Sequence, residues 1–99
     1  MSIESTFTTN GPFVLGHTTT GHGFVTVYAR YAAGTGTVTF GYFKQDSEDA
    51  ALDFVAVTTP AAITGDASFS WEVGGNIYYG MSITGASGLD LRVLVSGDY

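Results

Sequence analysis

The chain has 99 residues, the length of one domain, and a formal net charge of −6 from nine acidic and three basic side chains. Its cations are Arg30, Lys44 and Arg92, too few and too scattered to neutralise a run of phosphates or hold an anionic bilayer, which argues against nucleic-acid and membrane-surface binding. It has no cysteine, hence no disulfide framework or thiolate metal site, and its charged share of 12% is well below the typical value of about 25%.

Along the chain the hydrophobic period is two, the period of β-strands. Met1-Ser2-Ile3-Glu4 has neither the basic nor the apolar region of a secretory signal. Residues 1–10 are rich in Ser and Thr and suit an edge strand or an N-terminal arm, followed by a turn at Asn10-Gly11-Pro12. Residues 3–9 and 13–15 are weak strand candidates. Residues 24–31 alternate Val25, Val27, Ala29 and Tyr31 with Phe24, Thr26, Tyr28 and Arg30. After the turn segment Ala33-Gly34-Thr35-Gly36, residues 37–43 set Val38, Phe40 and Tyr42 against Thr37, Thr39 and Gly41. Residues 44–51 suit a polar loop or one helical turn, too short to stand alone as a helix. Residues 52–57 form a short strand, and Gly65-Asp66 a turn.

Residues 67–73 place Phe69, Trp71 and Val73 on one face and Ser68, Ser70 and Glu72 on the other, so Trp71 reads as core. After Gly74-Gly75-Asn76, residues 76–84 put Ile77, Tyr79, Met81 and Ile83 inward and Tyr78, Gly80, Ser82 and Thr84 outward. The small residues Gly85-Ala86-Ser87-Gly88 suit a hairpin loop. Leu89, Leu91, Val93 and Val95 then alternate with Asp90, Arg92, Leu94 and Ser96, completing the expected hairpin. Strands recurring about every ten residues predict an all-β antiparallel β-sandwich, jelly-roll or Ig-like, of about seven to eight strands. Residues 11–99 then make one sandwich domain.

No motif supplies a catalytic centre. His17 and His22 lie in a Gly/Thr-rich stretch with no third ligand near in sequence, and a catalytic zinc needs three. Asp46, Glu48 and Asp49 could gather a calcium ion but lack the EF-hand spacing. Asp53, Glu72 and Asp90 alternate with apolar neighbours and face solvent, which does not pair them for glycoside hydrolysis. No G-x-S-x-G elbow or phosphate loop occurs. The expectation is a non-enzymatic binding protein without cofactor or metal. Phe24, Tyr28 and Arg30 on the outer side of one strand, and Tyr78 on the outer side of another, are the candidate interface, since aromatics and Arg are enriched at interface centres.

From Gly36-Thr37-Val38-Thr39-Phe40 to the closing run from Tyr79-Gly80-Met81 through Thr84-Gly85-Ala86 to Leu91-Arg92-Val93-Leu94-Val95, the chain resembles the small β-sandwich structural proteins of tailed bacteriophages. In those, a Tyr-bearing strand leads through a Thr-Gly-Ala turn to a final alternating strand. The resemblance covers about two-thirds of the chain, with one departure at Gly80, where the family often has Arg. It implies a virion component, a capsid decoration (cement) protein bound to major capsid subunits at the capsid surface. It also implies a homo-oligomer, commonly a trimer, made in the host cytoplasm. Two further readings are a head-fibre, neck or tail structural protein, and a carbohydrate-binding or adhesive sandwich module using Tyr28, Tyr78 or Trp71 as a stacking platform.

Overall fold

In the computed structural model, which describes residues 2–18, 22–43, 54–74 and 77–97, the alternating runs become six strands and no helix. They are β1 (Ser2–Phe7), β2 (Gly11–Thr18), β3 (His22–Phe43), β4 (Phe54–Ala56), β5 (Ala67–Gly74) and β6 (Ile77–Gly97). All pair antiparallel in one sheet. Ser2–Phe7 forms an edge strand on β6. Residues 44–51, expected as a loop or helical turn, lie outside the described residues.

The expected seven to eight strands become six because two pairs of them run on as single strands. Residues 24–31 and 37–43 both belong to the 22-residue β3, and residues 77–84 and 89–95 both belong to the 21-residue β6. The hairpin expected at Gly85-Ala86-Ser87-Gly88 is not formed. Instead β3 and β6 pair with each other along nearly their whole length, from Val25↔Gly97 to Phe43↔Tyr78, with register shifts between Tyr31 and Thr37. Gly34, Gly85 and Gly88 have positive φ. Set singly among extended residues, they act as bulges, which add a residue to one strand and sharpen its bend, rather than as a chain-reversing turn.

The bend is forced by size. A straight strand of 22 residues would span about 70 Å, whereas the longest dimension of the molecule is 37 Å. The β3–β6 ribbon therefore folds over at its middle into two arms. In the first arm the order is β5, the start of β3, the end of β6, β1. In the second it is β4, the end of β3, the start of β6, β2. The inner faces meet: Phe40 of the second arm lies 4.9 Å from the Phe69 ring and 5.9 Å from the Trp71 ring of the first, and Tyr42 lies 5.4 Å from Trp71. Val25, Val27, Ala29, Trp71, Val73, Leu91, Val93 and Val95 from one arm join Val38, Phe40, Tyr79, Met81 and Ile83 from the other in one buried cluster. Every one of these was expected to face inward from its alternation.

This arrangement has an internal two-fold pattern. Residues 2–43 and residues 54–97 each run as two short strands followed by one long bent strand. β2 and β5 each pair with the first part of the opposite long strand, and β1 and β4 each pair with the last part. The two bends are held in matching ways. The Ala86 N–H in β6 donates to Asn10 Oδ1, between β1 and β2, at 2.8 Å. The Tyr31 N–H in β3 donates to Asp66 Oδ1, between β4 and β5, at 2.7 Å. Both short polar side chains give a bend amide the acceptor that a regular ladder would have supplied.

Tyr31 also bridges its own bend, donating from its hydroxyl to the Gly36 carbonyl at 2.9 Å. Burial, and then the Asp66 carboxylate beside it, raise its phenol above the ordinary value of 10.0. The folded state thus holds this proton more tightly than the unfolded chain. That contribution is complete below pH 10 and disappears as pH rises through the folded value. The expected result is an unfolding temperature that drops above pH 10, less steeply in Tyr31→Phe. Equal slopes for the two proteins would remove Tyr31 as the cause.

Candidate interaction surface

Because side chains alternate across a strand, the buried Val25, Val27 and Ala29 oblige Phe24, Thr26, Tyr28 and Arg30 to point away from the core. The same holds for Ser68, Ser70 and Glu72 on β5, Arg92, Leu94 and Ser96 on β6, and Glu4 and Thr6 on β1. Register places these residues in rows across the first arm. Phe24 lies opposite Glu72. Thr26 lies between Ser70 and Ser96, and Tyr28 between Ser68 and Leu94, with Glu4 beyond Leu94. Arg30 lies opposite Arg92, with Thr6 beyond.

Of the twelve residues in these rows, five are Ser or Thr and four are charged, Glu4, Arg30, Glu72 and Arg92, and two exposed apolar points stand among them. Phe24 is 59% exposed and Tyr28 is 48% exposed, and they stand about 13 Å apart along the strand. Leu94, half-buried, widens the Tyr28 end. Two of the three cations of the chain, Arg30 and Arg92, are direct cross-strand neighbours here. Like charges in that position repel. The one ion pair among the described residues, Arg92 to Asp90 at 3.5 Å, is solvent-exposed and offsets little of that repulsion. This row is a local positive site on an acidic protein.

Of the four expected interface residues, the structure brings Phe24, Tyr28 and Arg30 together and leaves Tyr78 apart. Tyr78 belongs to the second arm, where its ring stacks on His17 with centroids 4.1 Å apart and an interplanar angle of 12°. His17 lies on β2 and His22 on β3, in different arms. No group of three metal-ligating side chains occurs among the described residues. Asp46, Glu48 and Asp49 fall outside them, as does Asp53. Glu72 is exposed as expected, whereas Asp90 is half-buried with Oδ1 enclosed at the bend.

Arg92 and Leu94 were not singled out from sequence. Their outward phase was legible, but their neighbours Arg30 and Tyr28 follow from a pairing across more than sixty residues of chain. A second aromatic pair was also missed. On the outer side of the second arm Phe43 is fully buried against Phe54, with ring centroids 5.2 Å apart. The floor beneath is glycine: a Cβ at Gly41 would meet the Phe54 ring at 2.8 Å, and one at Gly80 would meet Phe43 at 2.7 Å. That part of the face is filled from within the chain, although Val14 opposite Gly80 is 41% exposed, whereas Phe24 and Tyr28 both stay open on one strand.

Comparison with known proteins finds no matching family model, no matching curated protein and no matching solved structure.

Proposed function

We propose that this chain is a non-enzymatic virion structural protein, a capsid decoration (cement) protein that docks on major capsid subunits through the outer face of its first arm. The observation that carries the reading is the exposure of Phe24 and Tyr28 beside the Arg30–Arg92 pair, on a face otherwise made of Ser, Thr, Leu94 and the carboxylates Glu4 and Glu72. Aromatic and Arg anchors surrounded by small polar residues are the composition of an interface centre and its rim. In this reading the folded sheet is a two-layer β-sandwich whose layers are the two arms, supported by the ring contacts of Phe40 and Tyr42 with Phe69 and Trp71. Bound copies stabilise the shell by linkage, since each binds the intact lattice and not its disrupted states. A homotrimer would multiply that effect through avidity.

The carbohydrate-platform reading is weakened, because Trp71 is 4% exposed and Tyr28 and Tyr78 sit on different arms.

The test adds purified protein to shells that lack it. The expected result is saturable binding and a higher shell-disruption temperature. Phe24→Ser with Tyr28→Ser should weaken binding at least about tenfold, the scale of one hot-spot residue. Exposed positions of this kind change folding stability by only about 0.5 kcal/mol. No binding and no shift in disruption temperature would sink the proposal. Labelled protein located at the tail instead of over the head would move it to the head-fibre, neck or tail class.

A further inference from the structure

Every strand pairing in the sheet joins residues 2–43 to residues 54–97. β1 and β2 pair with β6, while β4 and β5 pair with β3, and the β3–β6 ribbon itself spans the two halves. The isolated bridge Val38↔Ile63 does the same. So do the bonds that hold both bends, Ala86 to Asn10 and Tyr31 to Asp66, and the Tyr42 hydroxyl bond to the Glu72 carbonyl. Among the described residues, no strand pairs within its own half. Each half alone leaves its backbone donors and acceptors without ladder partners, and the other half supplies nearly all of them. The halves therefore relate to each other as two subunits of an intertwined dimer would, joined covalently through the ten residues 44–53.

That connection is longer than the closed ladder needs. Phe43 pairs directly with Phe54, and an antiparallel pair of strands can be closed by a loop of about two residues. Ten residues fully extended reach about 35 Å, comparable to the longest dimension of the molecule, 37 Å.

We infer that the chain can exchange halves with a second copy of itself. The product is a two-lobed dimer in which residues 2–43 of one copy pair with residues 54–97 of the other, and the reverse. Each lobe reproduces the pairings of the single chain, so only the route of residues 44–53 and the loss of translational freedom separate the two forms. An intramolecular partner joined through a short tether acts at an effective concentration on the order of millimolar. The closed single chain therefore dominates in dilute solution, and exchange takes over where the intramolecular partner is defective or copies are crowded. This inference stands on the pairing pattern and not on the proposed function. Its product would nevertheless carry two copies of the Phe24–Tyr28 face on one body.

The test uses two full-length variants, Phe40→Asp, damaging the first half, and Met81→Asp, damaging the second. Both side chains are fully buried, so a charge at either position prevents the single chain from folding. Each variant is refolded alone, and the two are then refolded together at about 100 µM, below the millimolar tether scale. Exchange builds one lobe in which both defects meet and one lobe with neither. The expected result is that the mixture recovers up to half the wild-type near-ultraviolet dichroism, in a species with the mass of two chains. The inference is overturned if the mixture stays as unfolded as its components. Should either variant fold alone, Phe40→Asp is repeated with a second core charge, Val38→Asp, and Met81→Asp with Ile83→Asp, and the same comparison decides.

Discussion

Gly34→Ala is expected to lower the unfolding temperature by about 15 °C or more. Two costs coincide at Gly34. Its φ of +76° is a left-handed conformation, which an L-residue adopts at a cost of about 1–2 kcal/mol. Its Cβ would also point into β6, onto the Gly88 carbonyl and, at 2.6 Å, the Leu89 Cα. Those atoms are backbone and cannot rotate aside, so the two strands of the bend must move apart. The combined loss is about 3 kcal/mol or more, against a total stability of about 5–15 kcal/mol for a domain. Two other glycines separate the causes. Gly85 has φ +66° with nothing within 4 Å of an added Cβ, so Gly85→Ala should lose only the conformational share, about 1–2 kcal/mol. Gly65 has open space and no positive φ, so Gly65→Ala should change stability by at most about 0.5 kcal/mol. Urea unfolding of the three variants checks the order, and equal losses at Gly34 and Gly65 would contradict the close approach at the bend.

Phe40→Ala is expected to cost about 3–5 kcal/mol, the range for removing a buried aromatic ring. Phe40 has no exposed surface and packs edge-on against both Phe69 and Trp71. Its loss would open a cavity between the two arms, where only the folding of the sheet brings these rings together. Trp71 is the single tryptophan, so its fluorescence reports the change directly. Phe24→Ala removes the same ring from an exposed position and should cost about 0.5 kcal/mol or less. If the two substitutions destabilised equally, Phe24 would be a core residue and the proposed docking face would lose its anchor.

The contrast between Phe40 and Phe24 was legible in the sequence. Strand alternation is local, because successive side chains leave opposite faces whatever the strand pairs with. Val25, Val27, Trp71, Tyr79, Met81, Leu91 and Val93 could thus be assigned inward, and all are buried. The all-β antiparallel class follows from the same period, and so does the outward direction of Phe24, Tyr28 and Arg30. What alternation leaves open is which strand lies beside which. Ala33-Gly34-Thr35-Gly36 and Gly85-Ala86-Ser87-Gly88 are small and flexible enough either to reverse the chain or to bend it. A hairpin would have laid residues 77–84 against 89–95 through local contacts alone. The observed bend instead pairs both stretches with β3 along its length, anchors each bend through Asn10 or Asp66, and closes Phe40 onto Trp71. Those gains come from residues tens of positions away, and only the tertiary structure brings them to bear. The same long-range register decided that Arg30 faces Arg92, that Tyr78 stands apart on the other arm, and that each half of the chain finds its partners in the other.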